Sequence, residues 1–302
     1  MHDSDAQNFA TDVDSHERGG TAVAFAALLT ANMALALGPW FVRLADVGPV
    51  AAGFWRLAIA APLLLLLCRA ARQPVRAMPP RTWTVLALGG FFFAADLAAW
   101  HVGILHTTLA NASLFGNISS LMFPIYGFLI ARALPGRAQL FAMLLAAVGA
   151  VLLLGRSYQL SSQNLLGDLL CITGGLLYTF YLAAMGSARG TLQPLPTITV
   201  ATIFGTVPLL LFALLLGETV WPQDWTPLLL LAFGSQLIGQ GLIVYAIGHL
   251  PPLVIGLGLL TQPIVAAAIG WTVYGEQLGF VDIVGAVAIA VALVLVRRSD
   301  RR

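Results

Sequence analysis

Apolar residues fall along this chain in long unbroken runs, and polar residues fall in the short breaks between them. Ten runs approach or reach the ~20 mostly apolar residues that a helix needs to cross ~30 Å of hydrocarbon. They are Gly20–Phe41, Val47–Cys68, Trp83–Ile104, Thr108–Ala131, Gln139–Leu154, Leu166–Met185, Ile198–Leu216, Leu228–Ile247, Leu253–Val273 and Phe280–Val296, of which the fifth and tenth are short. Within the runs apolar positions are continuous rather than alternating. That pattern predicts helices and not barrel strands, because a helix satisfies its own backbone hydrogen bonds where there is no water. The breaks are mostly a few residues long and hold no folded extramembrane domain. The expected fold class is an all-α integral membrane protein with ten transmembrane helices. Residues 1–19 carry Asp3, Asp5, Asp12, Asp14 and Glu17 without an apolar run. They are expected to form a disordered tail and not a signal peptide.

Composition agrees with this pattern. The 302 residues are 59% hydrophobic and 9% charged, against roughly 25% charged residues in a soluble domain. All 15 bases are Arg, and there is no Lys. A P-loop needs a Lys on its phosphates and a Schiff-base enzyme needs a Lys amine, so neither chemistry is expected, and no cofactor is implied. The charges are too few and too scattered for nucleic-acid binding. Cys68 and Cys171 lie inside apolar runs with no His pair beside them, which makes them packing residues rather than metal ligands or disulfide partners.

The arginines orient the ten crossings. With both termini cytoplasmic, 12 arginines fall on the inner side and only Arg43 and Arg156 on the outer, while Arg56 lies within the second run. This is the asymmetry of the positive-inside rule. The outer breaks collect Asp46, Glu218, Asp224 and Glu276 instead.

Two five-helix halves are visible. Pro124-Ile-Tyr-Gly-Phe matches Pro263-Ile-Val-Ala-Ala at an offset of 139, and the match continues through Gly136/Gly275, Phe141/Phe280 and Ala147-Val148/Ala286-Val287. Pro62-Leu-Leu-Leu matches Pro208-Leu-Leu-Leu at an offset of 146. Five is odd, so the second half is expected upside down relative to the first, as in transporters that work by alternating access around a site at the repeat interface. Arg137 after Gly136 and Glu276 after Gly275 fit the inversion, since the charge changes sign with the membrane face.

On these residues the chain resembles the drug/metabolite transporter superfamily, in its ten-helix branch with two EamA-type repeats. The resemblance covers about residues 20–297. Its most specific piece is Leu259-Leu-Thr-Gln-Pro263, then Trp271-Thr-Val-Tyr-Gly-Glu276-Gln-Leu, then Val284-Gly-Ala-Val-Ala. The first repeat departs from the pattern, with Arg137 where the family often has Glu. The resemblance implies repeats at residues 20–155 and 166–297, with a short cytoplasmic tail at 298–302. Within the family the chain is most similar to bacterial exporters of aromatic amino acids. That implies a multi-pass protein of the bacterial inner membrane, a small-molecule substrate (an amino acid or related metabolite) and a monomer or weak homodimer. A drug or nucleotide-sugar carrier of the same fold and a non-saturable channel are the alternatives. A nucleotide sugar needs cations for its phosphates, and the runs offer only Arg56; a channel needs rings of like charge, and none is present.

Polar groups within a bilayer usually face a cavity or a partner. Asp96 and Trp100 stand one helical turn apart on one face. Asp96 has four readings: a site for a substrate ammonium, a proton relay, a structural partner for Arg56, or a hydrogen-bonding cap on a neighbouring helix. His101, near the end of the same run, suits an interfacial role. Asn111 serves either as glue between helices or as cavity lining. Tyr178 and Tyr181 share a face of the sixth run, and Gln236 and Gln240 share a face of the eighth. Gln262 sits beside Pro263, and Asn32 lies in the first run. The substrate-binding candidates are Asn32, Asp96, Trp100, Asn111, Tyr178, Tyr181, Gln236, Gln240 and Gln262. Pro124 and Pro263 each remove a backbone donor and act as hinges or as fixed kinks. Trp40, Trp83, Trp221 and Trp225 read as interface anchors. Ala138, Ala142, Ala146 and Ala150 form a small-residue stripe on the fifth run, which is expected to support the fold rather than touch substrate. No metal-ligand spacing and no catalytic motif is present, and the chain is not expected to be an enzyme.

Overall fold

The computed structural model describes residues 3–107, 112, 115–155, 162–274 and 279–299. Among them are ten apolar helices. They are α1 (Asp3–Ala36, continued by Gly38–Leu44), α2 (Pro49–Ala70), α3 (Pro80–Leu105), α4 (Ser119–Ala131), α5 (Arg137–Gly155), α6 (Leu165–Arg189), α7 (Pro194–Leu215), α8 (Thr226–Ile247), α9 (Pro252–Leu259 and Thr261–Tyr274) and α10 (Phe280–Ser299). No strand occurs among the described residues. Six of the helices are long and apolar enough to cross a membrane, namely α1–α3 and α6–α8, while the apolar stretches of α4, α5, α9 and α10 are shorter. Large apolar side chains such as Leu66, Leu129, Leu144, Leu215 and Ile283 stand exposed on the outside of the bundle. In water such a surface would drive association; in lipid it is the expected coat.

The first helix is described from Asp3, and residues 3–19 run into it. Extending an existing helix needs no new nucleus, and the stretch contains no Pro.

Close contacts give the relative direction of neighbouring helices. A Cβ on Gly89 would meet Met185, and one on Gly103 would meet Cys171, so α3 and α6 run antiparallel. Gly53 faces Leu209 while Cys68 Sγ lies 3.2 Å from Thr199 Oγ1, so α2 and α7 are antiparallel. Gly127 faces Pro252 and Gly256 faces Pro124, so α4 and α9 are antiparallel too. By contrast α1 and α9 run parallel, with Leu28 against Gly258 and Asn32 against Gln262. Each of these directions is the one that ten alternating crossings require.

Two helices depart from regular α geometry. Residues Leu231–Gln240 of α8 wind as a π-helix, a rare form with i→i+5 bonds that tends to mark functional sites. Gly239 lets α1 come close to it, since a Cβ there would lie 2.8 Å from Leu35 Cδ2. In α9 the chain breaks at Leu260. The ring of Pro263 clashes with the carbonyl four residues earlier, which is that of Leu259, and the break falls directly after it.

The expected stripe on α5 is buried at Ala142, Ala146 and Ala150, with Ala138 exposed. The partner of α5 is α10, where a Cβ on Gly149 would touch Gly285 O at 2.8 Å. Cys68 and Cys171 are buried free thiols.

The α1–α2 turn is strapped to the α7–α8 connection. Glu218 accepts from the backbone N–H groups of Val50 (3.2 Å) and Ala51 (2.7 Å), capping α2 from a distant loop. Gly48 N donates to Thr219 O at 3.0 Å, Asp46 accepts from the N–H groups of Gln223 and Asp224, and Trp55 Nε1 donates to Val220 O at 2.6 Å. Trp221 and Trp225 pack edge-on to Trp55 with ring centres 5.4 and 4.8 Å away. Glu218→Ala should cost about 1 kcal/mol, the usual loss for a helix cap. The check is a lower thermal midpoint of the purified protein together with faster amide exchange at Val50 and Ala51.

Candidate functional site

The interior of the bundle gathers polar and aromatic groups from five helices. Arg56 of α2 is buried. Its Nε donates to Gln236 Oε1 at 3.0 Å and its Nη2 to Ser235 O at 3.3 Å, both on the π-helical stretch of α8. The guanidinium also lies 5.4 Å from the ring centre of Phe93 on α3, within range of a cation–π interaction. Gln236 Nε2 in turn donates to Thr202 Oγ1 on α7 at 3.0 Å. The Gln236 amide is thus engaged at both ends and positions Arg56.

One helical turn from Phe93, Asp96 faces the gap between α3 and α6. Gly174 lies opposite it, and a Cβ there would stand 3.2 Å from Asp96 Oδ1. Glycine at 174 therefore lets α6 approach α3 without covering the carboxylate. Asp96 is half-buried, and no described residue donates a hydrogen bond to it. Tyr178, one turn beyond Gly174 on α6, exchanges hydrogen bonds with Gln240 of α8, whose Nε2 lies 3.2 Å from the phenol oxygen. Phe93 stacks on Tyr181 with ring centres 4.6 Å apart, and Tyr181 stacks on Tyr178 at 5.6 Å. The Tyr181 hydroxyl is sealed from solvent with no hydrogen-bond partner. Trp100, one turn above Asp96, donates from Nε1 to Ala112 O at 3.4 Å.

Tyr178→Phe removes the two weak, neutral hydrogen bonds exchanged with Gln240 and keeps the stacked ring. A net loss of about 1 kcal/mol is expected, against about 3 kcal/mol for Tyr178→Ala, which opens a cavity. Thermal denaturation of the two variants side by side checks the difference.

The remaining candidates form a second cluster where α1 meets the break in α9. Asn32 Nδ2 donates to Leu28 O and to Gly258 O, and its Oδ1 accepts from Gln262 Nε2 at 2.9 Å. Thr261 Oγ1 also donates to Gly258 O. The Gly258 carbonyl beside the break thereby accepts from two side chains. Pro124 and Pro263 are both buried, with Pro124 against Gly256 of α9. Asn111 lies outside the described residues. His101 is buried, and its Nδ1 donates to Pro49 O at 2.7 Å, which ties the end of α3 to the start of α2. Sequence reasoning kept Arg56 out of the site and did not single out Phe93, Thr202 or Ser235. The one signal for Arg56 was its position as the only basic residue well inside a span. Among the described residues, no group of His, Cys, Asp and Glu could hold a metal ion.

Fold and site together define a multi-pass helical membrane protein with a buried polar and aromatic centre. Residues 165–298, covering α6 to α10, match the EamA-like transporter family, a family of transporters and not of enzymes. A solved crystal structure, described only as that of a protein, is similar over 92% of this chain and 97% of its own, with a TM-score of 0.73 and 18% identity. In all, 29 solved chains match. At that identity the likeness establishes the fold alone. No curated protein matches the chain.

Proposed function

We propose that the protein is a secondary transporter of the bacterial inner membrane that exports amino acids, aromatic ones foremost, by alternating access. The family match of residues 165–298 supports membrane transport of small molecules. The observation that carries the finer reading is the convergence of Asp96, Trp100, Tyr178, Tyr181 and Gln240 with Arg56 in one interior cluster. Charged and amide groups beside an aromatic wall suit an amphipathic solute with a ring. Gln236 acts here by holding Arg56. Asn32 and Gln262 act by holding the α9 break, and Pro124 and Pro263 are the candidate hinges.

The ten crossings form two inverted halves with both termini cytoplasmic. Two pairs of helices that correspond in the repeat, α2/α7 and α4/α9, run antiparallel against one another, as inversion requires. The excess of arginine on one side supports the orientation. Export then alternates between two arrangements, and the Glu218 strap is one of the contacts that must loosen. Flux of radiolabelled L-phenylalanine and L-tryptophan in proteoliposomes tests the reading. Saturable uptake against a protein-free control is expected, and the absence of saturable flux for every amino acid would remove the substrate class.

A further inference from the structure

We propose that Arg56 and Asp96 are the two ends of one binding site for a zwitterionic headgroup, with Arg56 taking the anionic group and Asp96 the cationic group. The proposal rests on the transport reading above and names the chemistry by which that site selects its solute.

Arg56 and Asp96 lie well inside apolar helices, where an uncompensated charge is costly. They attract one another electrostatically, yet among the described residues no ion pair within 4.0 Å joins them. Two opposite charges in one interior cluster would gain most by closing on each other. The structure holds them apart. Arg56 is pulled toward α8 by Gln236 and Ser235 and lies over Phe93, while Asp96 faces Gly174 on α6.

Each charge also keeps bonding capacity. The protein uses Arg56 Nε and Nη2, and no described residue accepts from Nη1. A guanidinium fixed in this way is a preorganised donor for a carboxylate. No described residue donates to either Asp96 oxygen, so both can accept from an ammonium. An α-amino acid carries its ammonium and carboxylate on one carbon and so presents both charges to this cluster. The half-buried rings of Tyr178 and Trp100 then receive an aromatic or large apolar side chain. An amine or a carboxylate alone satisfies one charge and leaves the other unpaired.

Three compounds with one ring and different headgroups test this: L-phenylalanine, 2-phenylethylamine and 3-phenylpropionate. Each competes against radiolabelled L-phenylalanine flux in proteoliposomes of the wild-type protein. L-phenylalanine should compete at least tenfold better than either single-charge analogue, and a smaller advantage overturns the proposal. Arg56→Gln should erase the advantage over 2-phenylethylamine, and Asp96→Asn the advantage over 3-phenylpropionate. An unchanged ranking in both variants also overturns it. If either variant does not fold, the wild-type ranking decides. If no amino acid flux is found, the transport reading fails by itself, and the same compounds are scored by thermal stabilisation of the purified protein. Stabilisation by the zwitterion alone then retains the site, and equal or absent stabilisation removes it.

Discussion

Asp96→Asn is expected to leave the protein folded at least as stably as before and to slow transport about 100-fold. The stability half follows from what the carboxylate does not do. No described residue donates to it, so its replacement leaves no hydrogen-bond donor unpaired, and Arg56 keeps its bonds to Gln236 and Ser235 while losing an attracting charge. A neutral amide is also much cheaper to bury than a carboxylate, whose transfer out of water costs several kcal/mol in real proteins. The functional half follows from what a buried charge does for a ligand. Truncating one partner of a desolvated charge pair typically costs 2–5 kcal/mol, and a loss of ~2.7 kcal/mol corresponds to ~100-fold. The two measurements are initial flux in proteoliposomes and the thermal midpoint in detergent, made on the same preparation. A destabilised variant with normal flux would make Asp96 a structural acceptor instead. Functional sites commonly hold groups that cost stability, and the expected opposite signs are the mark of such a site.

Gly90→Leu is expected to abolish folded protein. At Gly90 α3 and α7 approach backbone to backbone. A Cβ there would overlap Ala201 O and lie 2.9 Å from Gly205 N, and one on Gly205 would lie 2.9 Å from Gly90 O. Backbone atoms cannot rotate away, so even a methyl group forces the helices apart. Small residues at such crossings are how membrane helices gain van der Waals contact without a hydrophobic driving force between them. Overpacking usually costs 1–3 kcal/mol; a leucine set against backbone on both sides should exceed ~3 kcal/mol. Gly241 is the control, because a Cβ there meets nothing within 4 Å. Gly241→Ala should change stability by less than about 0.5 kcal/mol. Size-exclusion profiles and thermal midpoints of the two variants check the pair.

Much of the site was visible along the chain, residue by residue, but not as a site. Helical spacing put Asp96 with Trp100 and Tyr178 with Tyr181, and the structure places all four in one cluster. Spacing also paired Gln236 with Gln240, yet these two amides do different things. Gln240 meets Tyr178, while Gln236 is tied to Arg56 and Thr202. Asn32 and Gln262 were candidates for the same cluster, and they instead join α1 to α9 across 230 residues of chain. The position of Pro263 was plain in the sequence, but its consequence, a break at Leu260, needed the geometry of the preceding turn. The π-winding of α8 had no periodic signature, because both forms keep an apolar coat.

What the sequence by itself determined is one-dimensional. The length of each apolar run against the thickness of hydrocarbon sets the helices. The near absence of charge sets the solvent, and the distribution of arginine sets the expected orientation. These follow from single segments meeting water or lipid, so no knowledge of neighbours is required. The tertiary structure decided which buried polar atoms meet. In a bilayer every helix is similarly apolar outside, and its neighbours are chosen by small-residue contacts such as Gly90 on Gly205 and Gly256 on Pro124. Those contacts set Arg56 against α8 and Asp96 against α6. That separation of two charges is a property of helix order, which no local pattern encodes.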